Sequence, residues 1–197
     1  MTTPVSPSPT TQALTLDLAA RFPNIVTADT RPNFKGWIVV RENLAEVATA
    51  LRDEFGFDML ATVTGVDYFP ENKMEVVYHA YKTTGGPGLE FKVQVPRQDP
   101  VEVPSLIDVW PGVDFQEREA WDLLGIRFTG HPDLRRILMW EGYPYFPLRK
   151  EFPLEGLPSD MPDVAFTSAA PMEGGPFVTQ PSTATAKDRE PRARGPI

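Results

Sequence analysis

Two segments of alternating apolar and polar residues, separated by a short Gly-rich stretch, constrain the fold of this chain most strongly. Residues 73–82 and 88–96 alternate with period two, and the five residues between them include two glycines and a proline. This pattern predicts an antiparallel β-hairpin with one apolar and one polar face. The Gly-rich stretch is not expected to bind phosphate, because neither a Lys-Ser/Thr pair nor a helix follows it. His79 lies in the polar phase, so we expect it on the solvent side without a functional role.

Helical spacing of apolar residues predicts two helices before the hairpin. Residues 12–22 form a short amphipathic pattern that ends at a proline, and residues 44–55 form a longer one. Asn43 and Glu46 stand three residues apart, which predicts a capping box at the start of the second helix. Gly56 predicts its C-terminal end.

Two strands and a further helix are also predicted. Residues 36–41 and 57–66 are rich in residues that favour strands. Asp114 and Glu117 predict a second capping box, which opens a helix of about ten residues that Gly125 closes. The residues just after Gly125 have the character of a strand or a turn.

These elements predict an α+β fold: a mixed or antiparallel sheet with a β-hairpin, with helices packed on one side and an extended C-terminal tail. Residues 1–11 are rich in Pro, Ser and Thr, which predicts a disordered N-terminus. Residues 12–154 form the predicted folded domain. Residues 155–197 contain few large apolar side chains, so we expect a Pro-rich tail that is disordered or wrapped on a partner.

Composition excludes several classes of function. The net charge of −8 argues against nucleic-acid binding, which requires a basic surface. Because the chain has no cysteine, disulfides, cysteine nucleophiles and Cys-ligated iron–sulfur clusters are excluded, and its two histidines argue against a His-rich metal site. No apolar run approaches the ~20 residues that span a bilayer, and the N-terminus lacks signal-peptide character. We therefore expect a cytoplasmic chain that reaches a membrane only through partners.

Charged and large apolar side chains are interleaved in residues 117–138, which we call the charged signature. Arg118 and Asp122 stand four residues apart on the predicted helix, so they are expected to form a local ion pair. His131 precedes a proline, which favours an extended backbone and predicts that its ring projects from the chain. The candidate site residues of the charged signature are Glu117, Arg118, Glu119, Asp122, His131, Asp133, Arg135 and Arg136.

Three interpretations of the charged signature follow from its spacing. It forms an internal network of ion pairs that locks the helix onto the sheet, it docks a partner protein, or it supplies acid–base catalysis through Glu117, Glu119 or His131. No pairing of a nucleophile with a base and no metal-ligand constellation supports catalysis, so no catalytic, cofactor-binding or metal-binding residue is assigned.

The charged signature resembles that of the 30-kilodalton subunit family of respiratory complex I, known in bacteria as the C subunit. That pattern is Glu-Arg-Glu, two residues, an acid, two apolar residues, a six-residue gap, His or Lys, and a basic residue shortly before two aliphatic residues. The matching residues here are Glu117, Arg118, Glu119, Asp122, Leu123, Leu124, His131, Arg135, Ile137 and Leu138. Residues 147–154 resemble a second family element, and residues 62–67 resemble its strand ending in Val-Asp. The resemblance covers residues 12–154, and the chain departs from the family pattern at residues 143–146.

The resemblance implies an accessory subunit in the hydrophilic arm of a proton-translocating NADH:quinone oxidoreductase. Such a subunit has no redox centre, and it braces a 49-kilodalton-type quinone-site subunit and adjacent iron–sulfur subunits. FMN, iron–sulfur clusters and quinone are then expected in other subunits, and the chain lies peripherally on the cytoplasmic side of the cell membrane. The charged signature would dock the partner, and Arg149 and Lys150 would form a second docking patch.

Two other classes of function remain open at this point. The first is the equivalent subunit of a membrane-bound hydrogenase, or of a relative fed by ferredoxin or deazaflavin. The second is a free-standing protein, either an α+β binding module or, less in keeping with the residues, a self-sufficient hydrolase.

Overall fold

The computed structural model of the chain describes residues 18–32, 34–140 and 142–153. Of the helix expected over residues 12–22, only residues 18–22 fall within this part; residues 18–21 are helical, and Phe22 lies in a bend. The expected disordered segment 1–11 and the expected tail 155–197 lie outside the described residues.

A five-stranded mixed sheet forms the centre of the domain. Its strands are Val26–Ala28 (β1), Trp37–Val39 (β2), Met59–Tyr68 (β3), Lys73–Tyr81 (β4) and Leu89–Pro96 (β5), in the spatial order β1-β2-β5-β4-β3. β2 and β5 run parallel, and the other neighbouring strands run antiparallel. β4 and β5 are the predicted hairpin, so the predicted α+β class with a mixed sheet and a hairpin is confirmed.

Two further helices and a second, two-stranded sheet belong to the described part of the domain. The helices are Leu44–Asp53 (α1) and Asp114–Leu124 (α2), close to the predicted positions. The strands Val101–Pro104 (β6) and Ile126–Thr129 (β7) pair in parallel, with α2 between them in sequence. β1 and β6 escaped prediction because strands of three or four residues are too short to show alternation.

One face of the sheet and one stripe of α1 form the core. α1 buries Leu44, Val47, Ala48 and Leu51, the spacing expected for one helical face. Alternate residues of β4 and β5 are buried with them. Among these are Tyr78 and Phe91, whose stacked rings have centroids 4.9 Å apart. His79 lies on the opposite face and its Nδ1 is 2.8 Å from the hydroxyl of Thr62, so its predicted position is confirmed.

Neither predicted capping box forms. Asn43 precedes α1 but makes no side-chain bond to the backbone, and its amide nitrogen contacts the Glu46 carboxylate at 3.2 Å instead. The reason is that a 3₁₀ turn over Arg41–Asn43 runs directly into α1 and keeps Asn43 out of the extended conformation that a cap requires. A second 3₁₀ turn, Pro111–Val113, precedes α2 in the same way, and the carboxylate of Glu117 turns to the interior.

Among the glycines that the structure describes, Gly36, just before β2, is the one where an added Cβ would make the shortest contact. Its φ is +92°, and an added Cβ would lie 2.3 Å from the backbone oxygen of Glu90. Gly56 also has a positive φ, +75°, but a Cβ there would meet nothing within 4 Å. A side chain at Gly36 would therefore meet both backbone strain and a collision with β5, whereas a side chain at Gly56 would meet backbone strain alone.

We predict that Gly36→Ala lowers the free energy of unfolding by roughly 3–4 kcal/mol, because strain and collision add. Gly56→Ala, the matched control, carries the backbone strain alone and should cost about 1–2 kcal/mol. Unfolding by urea measures both. Equal losses for the two variants would show that β2 and β5 do not approach each other closely at Gly36.

Candidate functional site

The helix α2 places acidic and basic side chains on its buried face. It ends at Gly125, whose φ of +76° and bond from its N–H to the Trp121 carbonyl close the last turn. Glu117, Arg118 and Asp122 are all buried. Because a buried charge is unfavourable unless it is paired or hydrogen-bonded, the partners of these three side chains define the site.

The carboxylate of Asp122 binds the loop that follows β7. It is fully buried and accepts hydrogen bonds from the backbone N–H groups of Ile137, Leu138 and Met139, at 3.1, 2.7 and 2.9 Å. The guanidinium of Arg136 donates to it as well, at 2.6 Å. One side chain of α2 therefore fixes a stretch of backbone that has no regular secondary structure.

Arg136 continues this network to the segment where the sequence departs from the family pattern. Its guanidinium also donates to the backbone carbonyl oxygens of Tyr143 and Tyr145, at 2.7 and 3.2 Å. The rings of Trp121, Tyr143 and Phe146 lie 5.2–5.7 Å from its central carbon. The segment 143–146 is thus folded around Arg136.

The ionised form of Asp122 is favoured despite its burial. Burial alone would raise the pKa of this carboxyl, but the N–H groups of Met139 and Leu138 and the guanidinium of Arg136 lower it below its ordinary value. Asp122 is therefore a buried anion at neutral pH, and its charge is shared with the loop.

Glu117 has the opposite electrostatic environment. It is fully buried and accepts hydrogen bonds from the Ser105 hydroxyl at 2.6 Å and the Leu106 N–H at 2.8 Å. Burial raises its pKa to about 7, and the two hydrogen bonds offset only part of that effect. The buried Tyr78, whose own pKa is raised by burial and then by Glu117, faces the same region. Glu117 thus links α2 to the chain after β6.

Two predictions about the charged signature are wrong. Arg118 does not pair with Asp122, because Asp122 is turned to the loop; the Nε of Arg118 donates to the backbone carbonyl of Arg135 at 3.1 Å. The ring of His131 does not project from the chain: it is fully buried, and its Nε2 lies 3.4 Å from a carboxylate oxygen of Asp114. A turn over residues 128–131, which contains Gly130 and is closed by the bond from the His131 N–H to the Phe128 carbonyl, folds the ring back onto the start of α2.

Of the two residues predicted to form a second docking patch, Arg149 is bonded within the chain and Lys150 is exposed. The guanidinium of Arg149 binds the Asp99 carboxylate at 3.1 and 2.7 Å and the Leu124 carbonyl at 2.8 Å. Lys150 keeps its side chain exposed, while its backbone N–H donates to Asp67 at 2.8 Å.

The remaining signature charges lie on the surface beside large apolar side chains. Glu119, Asp133 and Arg135 are exposed, and the last two pair with each other at 2.9 Å. Three large apolar residues of the same region are more than half exposed: Phe115 at 65%, Leu138 at 57% and Leu148 at 56%.

Phe115 lies on the surface of α2 rather than in the core. It lies in the first turn of the helix, where little of the chain covers it. Its ring centroid is 5.3 Å from the central carbon of the Arg118 guanidinium, so the aromatic ring contacts a charged group rather than the core.

Within the described residues, no group of three or more His, Cys, Asp or Glu side chains is arranged to hold a metal ion. The helices of this part of the chain are also all too short or too polar to cross a membrane.

A second buried network, on the polar face of the sheet, was missed at the sequence level. Lys92 binds Asp29 at 2.8 Å, and Arg31 bridges Asp29 and the fully buried Glu75 at 2.7 Å each. The pKa of Asp29 is held well below its usual range, chiefly by Arg31. One signal was available: Glu75 and Lys92 carry opposite charges on neighbouring inner strands of the sheet. Polar residues on inner strands are less reliably solvent-exposed than those on edge strands.

Comparison with known proteins gives consistent matches over the folded domain. Residues 37–158 match the family described as respiratory-chain NADH dehydrogenase, 30 Kd subunit. An NADH-quinone oxidoreductase C subunit of Rhizobium etli is 42% identical over 147 residues, which cover 73% of this chain and 74% of the relative. The corresponding C subunit of Moorella thermoacetica is 44% identical over 118 residues, covering 60% of this chain and 79% of that protein.

A solved structure shares the fold. A chain of the membrane-bound sulfane sulfur reductase, an archaeal respiratory membrane complex, aligns with a TM-score of 0.64 at 21% identity. The alignment covers 74% of the present chain and 86% of that chain. At this identity the match shows a common fold.

We predict that Asp122→Asn lowers the free energy of unfolding by roughly 3–5 kcal/mol, because it leaves Arg136 without its buried counter-ion. Glu119→Gln, on the exposed face of the same helix, should change stability by less than about 0.5 kcal/mol. Chemical denaturation provides the measurement. A loss below about 1 kcal/mol for Asp122→Asn would mean that the loop is held by other contacts.

We predict that Glu117 gives the protein a specific pH dependence. Its pKa is about 7 in the folded protein and near 4.5 when unfolded. Between these values the folded state retains a proton that the unfolded state has lost, so this stabilisation falls as pH rises from about 4.5 to about 7. Relative to Glu117→Gln, which cannot titrate, the wild type should lose about 3 kcal/mol across that range.

Denaturant unfolding of the wild type and Glu117→Gln at pH 4.5, 6 and 8 makes this comparison directly. If the free energies of unfolding of the two proteins differed by the same amount at all three pH values, a raised pKa of Glu117 in the folded protein would be contradicted.

Proposed function

Because the chain belongs to the 30-kilodalton subunit family of the respiratory-chain NADH dehydrogenase, we propose that it is an accessory subunit of a proton-translocating NADH:quinone oxidoreductase. It would lie in the hydrophilic arm and brace the 49-kilodalton-type quinone-site subunit and adjacent iron–sulfur subunits. FMN, the iron–sulfur clusters and quinone would be held by those other subunits, since this chain has no cysteine with which to ligate a cluster.

The observation that carries the proposal is the division of the charged signature into a buried and an exposed half. Asp122 and Arg136 are used inside the chain, where they fix the loop after β7. The exposed half combines charged groups with large apolar side chains, a combination typical of surfaces that bind another protein. A surface held rigid before binding loses less conformational entropy on association.

Location follows from the same proposal. The chain would sit on the cytoplasmic side of the cell membrane and be held there by its partners. The relatives described above support this role, since they are C subunits of NADH-quinone oxidoreductases with more than 40% identity over most of their length. The fold shared with a chain of a sulfane sulfur reductase complex is compatible with more than one electron donor and acceptor.

Affinity purification of the tagged chain from native membranes tests the proposal. We expect it to co-purify with flavin-containing and iron–sulfur subunits and with a quinone-reducing activity. Recovery of hydrogenase subunits instead would favour the alternative relative, and a monomer without stable partners would overturn the subunit assignment.

We predict that Arg135→Glu reduces incorporation of the chain into the complex by about 5- to 10-fold, because it reverses an exposed charge at the proposed interface. Arg41→Glu, an exposed arginine at the start of α1, serves as the matched control and should incorporate normally. Arg136 is not a suitable probe, because its reversal would disrupt the internal network. Normal incorporation of Arg135→Glu would exclude this side chain from the interface.

A further inference from the structure

A groove lies between the edge strand β3 and the helix α2. Its volume is about 340 Å³. Residues 61–65 of β3 form its floor, α2 contributes Glu119 and Leu123 to its wall, and Leu148 closes the far side. Most of its lining is apolar or backbone, so the single carboxylate is the dominant charge in the groove.

Within the part of the chain that the structure describes, Glu119 differs from the other acids of α2 in having no partner. Glu117 and Asp122 are buried and hydrogen-bonded, whereas the Glu119 side chain is exposed. Among residues 18–32, 34–140 and 142–153, none forms a hydrogen bond or ion pair with its carboxylate. A positively charged side chain in the groove could therefore pair with the Glu119 carboxylate without displacing another partner.

The floor of the groove adds backbone acceptors. The N–H of Val63 points away from β4 and is bound by the Gln116 side chain. In an antiparallel pair the N–H and C=O of one residue point to the same side, and residues two apart share that direction. The carbonyl groups of Val63 and Gly65 therefore face the open edge of the sheet, on the side where Glu119 lies.

We propose that this groove receives an arginine side chain from the partner subunit, an inference that rests on the function proposed above. The guanidinium would pair with Glu119 and donate to the edge carbonyl groups, and its aliphatic stem would lie against Leu123 and Leu148. Arginine fits better than lysine because its planar group carries five donors that can reach several acceptors at once. The long aliphatic part of an arginine side chain can also pack against Leu123 and Leu148.

Competition in cells tests the proposal with the complete complex. A tagged variant and the untagged wild-type chain are expressed equally, and mass spectrometry of the purified complex gives their ratio. Glu119→Gln should be incorporated at least about 10-fold less than the wild type, since it removes one partner of a desolvated charge pair. Glu119→Arg should be absent from the complex. Glu46→Gln, an exposed glutamate on α1, is the matched control and should give a ratio near one.

A salt wash of the immobilised complex separates charge from shape. The wild-type chain should be released increasingly as salt rises, whereas the small amount of Glu119→Gln that is incorporated should be released with a weaker dependence on salt. Unfolding midpoints of the isolated chains, expected to be equal, exclude a folding defect.

Each alternative outcome has one meaning. Equal incorporation of Glu119→Gln and wild type, in a complex that contains the wild-type chain, overturns the groove proposal and leaves the subunit assignment standing. Weaker incorporation with an unchanged salt dependence also overturns it, because the groove would then hold an uncharged group. Failure of the wild-type chain to enter any complex removes both proposals together.

Discussion

The buried carboxylate of Asp122 is the interaction on which the candidate site depends. It collects three consecutive backbone N–H groups and one guanidinium around a single side chain of α2. A carboxylate can accept several such bonds, and ionic hydrogen bonds are roughly twice as strong as neutral ones. Through Arg136 the same group reaches the backbone of residues 143 and 145. A loop without regular secondary structure is thereby hydrogen-bonded to α2.

Buried charge of this kind is weak evidence for stability and better evidence for a fixed geometry. Replacing a buried ion pair with apolar residues is often neutral or stabilising, but removing one partner is costly. In this chain the pairs set the position of exposed groups: Arg135 and Leu138 belong to the loop that Asp122 holds, and Leu148 binds the Leu123 carbonyl through its N–H. The internal-network and partner-docking interpretations of the charged signature are therefore complementary, since the first shapes the surface required by the second.

Sequence periodicity was sufficient for the long elements and insufficient for their ends. The hairpin of β4 and β5 and the helix α1 each contain enough residues to show their period, whereas α2 was predicted from Asp114, Glu117 and the glycine that closes it. The two capping boxes failed because 3₁₀ turns, which carry no period, run into both helices. The family resemblance, based on residues 117–138, is confirmed by the match over residues 37–158.

Side-chain partners were harder to predict than elements, because helical spacing describes only one face of one helix. Arg118 and Asp122 are neighbours by that rule, yet Asp122 binds a loop 15–17 residues away in sequence, which no local rule anticipates. The ring of His131 was misplaced for a related reason: the proline after it restricts its backbone but does not determine the turn at Gly130. The network of Asp29, Arg31, Glu75 and Lys92 forms only when three separate segments meet.

Hydrogen exchange of the free wild-type chain tests the central claim most directly. The amides of Ile137, Leu138 and Met139 lie outside the described helices and strands, and their acceptor is the carboxylate of Asp122. Our account predicts exchange slowed to the range of the amides in β4 and β5. Exchange at the rate of an unstructured peptide would mean that Asp122 does not hold the loop, and that the exposed surface is not fixed before a partner binds.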